Sequence, residues 1–425
     1  MKTDFFEEGK SRSHFTKFSE IIKLKDKFII NEFFIRLILV FVSAQFINLL
    51  VYNYTRSFMY VSLVALFQVL LSFLFASFNY NYEIKKSTIF LTMILLSVCL
   101  FAFGYFYVLQ KDSLLIFAVL IPAVFSFVMS SLNRFKSNFL PNEQFSFVLR
   151  SINQIGLVLT SFLMIFFGFL IDILPTKQSL TATFDLVRIL AVNDFYLIYV
   201  LGGAAALIYA LFFFFNSKDA YKKTGKLVNL SSFRKDPLIL IFSLFNSIVN
   251  VSLIFVGPFL YESLNYLKYR FTAVTLIFSL AMMSSVVSPR IVYSNLRRYG
   301  AFFVALIGLL LFLCFPIAML FFEDNILYIV LGIYLGTLGA SMATYSFEYT
   351  LTKKYSKEDF AKSKFSLQTM TAFIETLILL FSSFSLIALP LGLIYKLLFA
   401  FTIFTSAFYV VYSKFIFRNR MKNIV

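Results

Sequence analysis

The feature that most constrains this chain is a recurring, nearly uninterrupted apolar stretch of about 20 residues, the length at which a helix crosses a hydrocarbon core of roughly 30 Å. Inside lipid a backbone has no water to bond, so such stretches must close their own hydrogen bonds as helices. Twelve can be read, at 29–52, 57–80, 87–109, 113–133, 145–171, 193–216, 237–261, 270–289, 300–321, 325–348, 365–387 and 390–413. A soluble chain of 425 residues could not hide a composition that is 60% hydrophobic and only 14% charged, because its exposed face must be largely polar. The expected fold is therefore all-α: a polytopic membrane protein of twelve transmembrane helices. The first run is too long and too far from the start for a secretory signal peptide, and no small-residue cleavage site follows it. It is expected to be a permanent span.

Charge placement gives an orientation. The segments 1–28 and 414–425 and the turns after spans 2, 4, 6, 8 and 10 carry 30 Lys and Arg. The opposite side carries six: Arg56, Lys111, Lys177, Arg188, Lys268 and Arg270. By the positive-inside rule both termini and the 217–236 linker lie in the cytoplasm, which predicts an integral plasma (inner) membrane protein. The same bases explain the net charge of +17. They come in short clusters flanking spans, where they meet anionic headgroups, and do not suggest nucleic-acid binding.

Soluble-enzyme chemistry has no foothold. The single histidine, His14, sits in the basic tail. No phosphate-binding glycine loop is present, and no Cys/His/carboxylate cluster has metal-ligand spacing, so no cofactor or metal is expected. Cys99 and Cys314 both fall inside spans and read as packed small hydrophobes. The chain is not expected to be an enzyme.

The halves look related. The linker 217–236 separates six spans, 29–216, from six more, 237–413, with basic tails at 1–28 and 414–425. "NEQF" at 142–145 matches "KEDF" at 357–360, an offset of 215. Lys85-Lys86 after span 2 matches Arg297-Arg298 after span 8, an offset of 212. Two six-helix pseudo-repeats of this kind are common in secondary transporters.

Two six-span halves, internal termini and a basic central linker resemble the major facilitator superfamily, in particular its drug-efflux-like members. The family's signature after span 2 runs roughly G-x-x-x-D-R-x-G-R-K. Here the stretch is "SFNYNYEIKK", 77–86, in which the terminal pair Lys85-Lys86 agrees. Ser77 and Ile84 stand at glycine positions, and Asn81-Tyr82 at the Asp-Arg pair. "LPNEQFSFVLRSINQIGLVLTSFL" also looks like the family's junction between spans 4 and 5. The resemblance implies that spans 1, 4, 7 and 10 line a central cavity and that 2, 5, 8 and 11 form the interface of the halves. Spans 3, 6, 9 and 12 would then lie outside.

Polar residues at helical spacing fall on the four spans so implied: Gln45, Asn48 and Tyr52 on span 1; Ser126, Ser130 and Asn133 on span 4. Span 7 has Ser243, Asn246, Ser247 and Asn250, and span 10 has Ser341, Thr344 and Tyr345. They read either as cavity lining or as hydrogen-bonding groups that join helices, worth about 1 kcal/mol or less each. Gly332, Gly336 and Gly339 on span 10 read as packing contacts, and Gly257-Pro258 on span 7 as a kink. Lys85, Lys86, Arg150, Arg297 and Arg298 are expected at a cytoplasmic gate. Glu32 and Arg36 share a face of span 1; Arg36 either snorkels and pairs with Glu32 or meets an anionic group. Glu348, near the inner end of span 10, is a secondary carboxylate.

Glu375 is the outlier. It lies near the middle of span 11, too far from either interface for its short side chain, with Gln368, Thr371 and Ser382 on the same face. An ionised carboxylate there costs a few kcal/mol on insertion scales, so it must be neutral, paired or in water. With no histidine in any span, proton coupling would have to use such a carboxylate. The expectation is a monomeric secondary transporter working by alternating access: a proton-linked exporter of an amphipathic or hydrophobic small molecule, with Glu375, Glu32, Arg36 and Glu348 as coupling or substrate groups. A lipid-linked sugar or lipid flippase of another twelve-span fold is the alternative within transport. A non-transporting membrane receptor or immunity protein is the alternative outside it.

Overall fold

In a computed structural model, the structure describes residues 27–81, 85–109, 111–137, 156–169, 172, 194–216, 237–264, 267, 270–321, 325–354, 357–388 and 390–412. Among these, regular structure is helical throughout. Among the described residues, nine helices are long and apolar enough to cross a membrane, and three shorter apolar ones, Gly156–Phe169, Tyr199–Phe215 and Phe399–Tyr412, fall on the expected spans 5, 6 and 12.

Span 1 comprises two pieces, Lys27–Val42 and Ala44–Thr55. Spans 2, 3 and 4 are Phe58–Asn81, Lys86–Val108 and Leu114–Ser137; spans 6 and 7 are Asp194–Asn216 and Pro237–Ser263. Spans 8 and 9 run through Arg270–Phe312 and are separated by a left-handed Gly300, with φ 83°, a value that glycine adopts without strain. Cys314–Phe321 completes span 9, and spans 10, 11 and 12 are Ile326–Lys354, Lys357–Ala388 and Leu391–Tyr412. Spans 10 and 11 extend past the predicted apolar runs at their charged ends, because hydropathy marks only the lipid-facing part of a helix. The end of the bundle that holds Lys27 and Tyr412 is termed inner below, and the opposite end outer.

The break in span 1 departs from the single helix expected over 29–52. Ser43 takes an extended ψ of 129°, and its hydroxyl accepts the Phe46 N–H, so it caps the second piece at mid-membrane. Serine caps a helix start because its short side chain reaches an unpaired backbone donor.

Helix packing is two-fold. In the first half span 1 touches 2, 4 and 6, span 2 packs on 4, and span 3 on 4 and 6. In the second half span 7 touches 8, 10 and 12, span 10 packs on 8 and 9, and span 9 on 12. The span-10 glycines serve packing, as expected. A methyl on Gly339 would lie 2.5 Å from the Gly308 carbonyl and 2.6 Å from the Phe312 nitrogen, so spans 9 and 10 meet backbone to backbone. Large apolar side chains face outward where lipid would be, including Leu91 and Val98 on span 3, Phe215 on span 6 and Phe404 on span 12.

The halves meet through spans 2, 5, 8 and 11, the interface the resemblance implied, and also through spans 1 and 7. Span 2 packs on 11, where the Ser383 hydroxyl donates to Ser62 at 2.9 Å and Ser62 donates to the Leu379 carbonyl at 3.0 Å. Span 5 meets 8, where the Ser279 hydroxyl donates to the Ser161 carbonyl at 2.8 Å. The outer piece of span 1 packs on span 7, and its Tyr52 hydroxyl donates to Glu262 at 2.8 Å. These cross-half bonds run from mid-membrane to the outer end. The inner piece of span 1 packs instead on span 6 of its own half.

Candidate functional site

Glu375 is buried, 7% exposed, and its Oε1 accepts a 2.6 Å hydrogen bond from the Asn250 amide. Both residues stand at mid-membrane, Asn250 halfway along Pro237–Ser263. The partner lies in the same half of the molecule, so this bond fixes span 7 to span 11 and does not tie the halves together. Asn250 is itself exposed, the one such residue of span 7 away from its ends. Span 7 packs against spans 1, 2, 8, 10, 11 and 12, and the exposed amide stands beside the buried carboxylate that it bonds. Asn246, half-buried, lies one turn inward, and Gln368 is exposed on the inner part of the Glu375 face.

The rest of the polar stripe divides by partner. Ser243 and Ser247 are buried and donate to the Leu367 and Thr371 carbonyls of span 11, at 3.3 and 3.0 Å. They bond helix to helix, and so depart from the cavity expectation. Asn48 departs further. It is fully buried and accepts from Gln68 of span 2 at 3.3 Å. Gln68 also donates to the Ala118 carbonyl of span 4 at 2.9 Å. Pro122, four residues on, has no N–H to give that carbonyl, so Gln68 supplies the missing donor. Ser341 meets Ser285 of span 8 at 3.1 Å. Ser126, Ser130 and Thr344 are half-buried, with Ser130 bonding its own helix at the Phe127 carbonyl. Tyr345 packs on the Val292, Leu296, Val304 and Met342 cluster.

Tyr52 lies at the outer mouth rather than in the cavity. It bonds Glu262, beside Tyr261, whose ring has Arg56 at 5.9 Å and Arg270 at 5.7 Å. Arg36 is buried, 8% exposed, and packs on span 5: a methyl on Gly156 would come within 2.9 Å of its Cζ. It is therefore packed within the first half, against span 5. Glu348 is half-buried at the inner end of span 10. Lys85 is exposed, and Lys86 lies 4.8 Å from the Phe214 ring of span 6. Arg298 is exposed beside Tyr299. Arg150 falls outside the described residues, as do the side chains of Glu32, Gln45, Asn133 and Arg297.

Sequence reasoning missed the Ser43 break, Gln68, Glu262 and Asp172. The lone amide of Gln68 in an apolar span and the proline of span 4 were the available signals for one of them. For the others an isolated serine or an end-of-span carboxylate carries none.

Helices repeated two-fold around an internal polar centre make this a polytopic membrane protein with a transporter fold. The chain belongs to the Major Facilitator Superfamily, whose family model matches residues 28–374. Comparison with curated protein sequences returns no match. Among solved structures, a bacterial homologue of the iron transporter ferroportin in its inward-facing state superposes with a TM-score of 0.68 at 12% identity, covering 91% of this chain and 98% of that one. The nucleoside transporter NupG gives 0.66 at 11% identity, covering 91% and 98%. The E. coli xylose transporter XylE, in a partially occluded inward-open conformation, gives 0.59 at 10% identity, covering 92% and 100%. At such identities the likeness is one of fold.

Proposed function

We propose that the protein is a secondary transporter working by alternating access, a proton-linked exporter of an amphipathic small molecule, with Glu375 as its coupling group. The observation that carries this reading is the buried mid-membrane carboxylate held by an exposed amide. A carboxylate there is tolerated when it can be neutralised or paired, and Asn250 supplies a donor that strengthens with the ionised form. A ligand that reaches the cavity meets Asn250 first. Whatever engages that amide alters the bond to Glu375, which links ligand occupancy to the proton on the carboxyl. Membership of a transporter family supports transport over catalysis. The efflux-like layout supports the outward direction.

The positive-inside orientation would set the inner end in the cytoplasm. The cross-half bonds at the outer end are then those of an outer-closed arrangement. The test is transport of a compound panel by reconstituted vesicles, with and without a pH gradient, for wild type and Glu375→Gln. Gradient-driven transport that the Gln variant loses is expected. A variant with unchanged coupling and affinity would reject the role of Glu375, and no transport by wild type across the panel would reject the function.

A further inference from the structure

Asp172 stands at the outer end of span 5, in the first half, yet its carboxylate is bonded to the second. It accepts the Thr272 hydroxyl at 2.6 Å, the Thr272 N–H at 2.7 Å and the Phe271 N–H at 3.3 Å. Span 8 begins at Arg270, so these backbone donors belong to its first turn, where no carbonyl of the same helix can take them. Such donors are ordinarily capped by the residue that precedes the helix. Here the capping group comes from another helix, 100 residues away, and brings negative charge to the positive end of the helix dipole.

The seam beneath it is tight. A methyl on Gly168 would overlap the Thr275 side chain and lie 3.0 Å from the Phe271 carbonyl. The symmetry-related seam, between spans 2 and 11, is closed by neutral serine hydroxyls instead. Among the described residues, the other charged contacts across the outer end, Tyr52 with Glu262 and Arg56 over the Tyr261 ring, involve an exposed carboxylate and an exposed guanidinium that water can serve as well.

We propose that Asp172 is the latch of the outer-closed state: a helix cap supplied across the interface of the halves, which exists only while the outer ends of spans 5 and 8 touch. Opening the outer end strips span 8 of its cap and Asp172 of three donors together. Asp172 is thus a positioning residue for transport, remote from the cavity, that sets the balance between outer-closed and outer-open conformations. This rests on the alternating-access reading.

The test is double electron–electron resonance on the full chain in lipid nanodiscs. Spin labels go on Lys111→Cys and Asn325→Cys, exposed outer turns of the two halves, in a Cys99→Ala, Cys314→Ala background. The parent is expected to show mainly the short, outer-closed distance. Asp172→Ala should raise the ratio of long to short distance about tenfold, the scale of losing charge-assisted hydrogen bonds. Asp172→Asn, which keeps an acceptor but loses the charge, should fall between. Thr272→Val leaves span 5 untouched and should shift the distribution in the same direction by less. An unchanged distribution in Asp172→Ala overturns the latch. So does a shift there with none in Asp172→Asn and Thr272→Val, which would assign the effect to span 5 alone. Should the alanine variant fail gel filtration as a folded species, the other two decide. Failure of the transport reading is seen separately, in vesicles of wild-type protein that carry no compound of the panel.

Discussion

Replacing Asn250 by Ala should cost more when residue 375 is a glutamate than when it is a glutamine, and the size of the difference follows from the geometry. The bond is short, 2.6 Å, and ends on a carboxylate that is 7% exposed. A hydrogen bond to a charged group contributes about 1.5–3 kcal/mol, against about 0.5–1.5 kcal/mol between neutral partners. Asn250 is exposed, so water partly replaces its amide, and the lower end of each range applies. Loss of Asn250 should then cost about 1.5 kcal/mol with Glu375 present and about 0.5 kcal/mol in the Glu375→Gln background. The coupling energy is about 1 kcal/mol, roughly a fivefold change in the unfolding constant. The chain has no tryptophan, so unfolding by sodium dodecyl sulfate in mixed micelles is followed by helical circular dichroism. Lowering the pH until the carboxyl binds its proton should shrink the wild-type penalty to the value in the Gln background. Equal penalties in the two backgrounds, at every pH where the fold persists, would refute the charge-assisted bond and with it the proposed link between Asn250 and the coupling proton.

Two further outcomes rest on packing and on the backbone. Gly339→Val should destabilise by about 1–3 kcal/mol, because the added atoms meet backbone of Gly308 and Phe312 that cannot rotate away; an unchanged unfolding midpoint would show that spans 9 and 10 can part freely. Gln68→Leu strands both the Ala118 carbonyl and Asn48 in a buried site, at about 1–3 kcal/mol for each group left unpaired. Adding Pro122→Ala should recover part of that loss, because the new N–H can bond Ala118 within the helix, and the same detergent titration reads both changes.

The twelve spans were legible because a membrane-crossing helix has to be an apolar run of nearly fixed length, and the family layout set spans 2, 5, 8 and 11 at the interface of the halves; which of them pair, 2 with 11 and 5 with 8, came from the structure. Glu375 was legible for the same reason that it is costly: a carboxylate far from water in a run of Phe, Leu and Ile stands out. Its partner was not. Asn250 appeared among the polar residues of span 7, but helical spacing states which residues share a face, not which neighbour covers that face. Ser243 and Ser247 share much of the face of Asn250, yet they are covered by span 11 while Asn250 is open. Asn48 likewise sits at the right spacing from Tyr52 and is sealed by Gln68. The Ser43 break was hidden because a capping serine and a helix-bonding serine look alike in sequence.

Symmetry gives the unmatched residues their meaning. The helix pairings of one half recur in the other, so duplication explains the frame: seam 5·8 is the image of seam 2·11, and the contact between spans 1 and 5 is the image of that between 7 and 11. The chemistry at those places is not duplicated. Asp172 and Thr272 charge one seam while Ser62 and Ser383 leave the other neutral. Arg36 is packed against Gly156 between spans 1 and 5, whereas its image region between spans 7 and 11 holds Asn250 and Glu375. A group present in both copies would bias the two seams equally and would leave the cavity with matching walls. Groups on one copy alone set a basic residue between spans 1 and 5 and an acidic residue between spans 7 and 11, and on the proposed latch make one seam harder to open than its image. Packing demands neither asymmetry, since the serine seam closes as well as the charged one. On the proposed transport cycle both asymmetries acquire a role: one wall responds to ligand and proton, and one seam holds until it does.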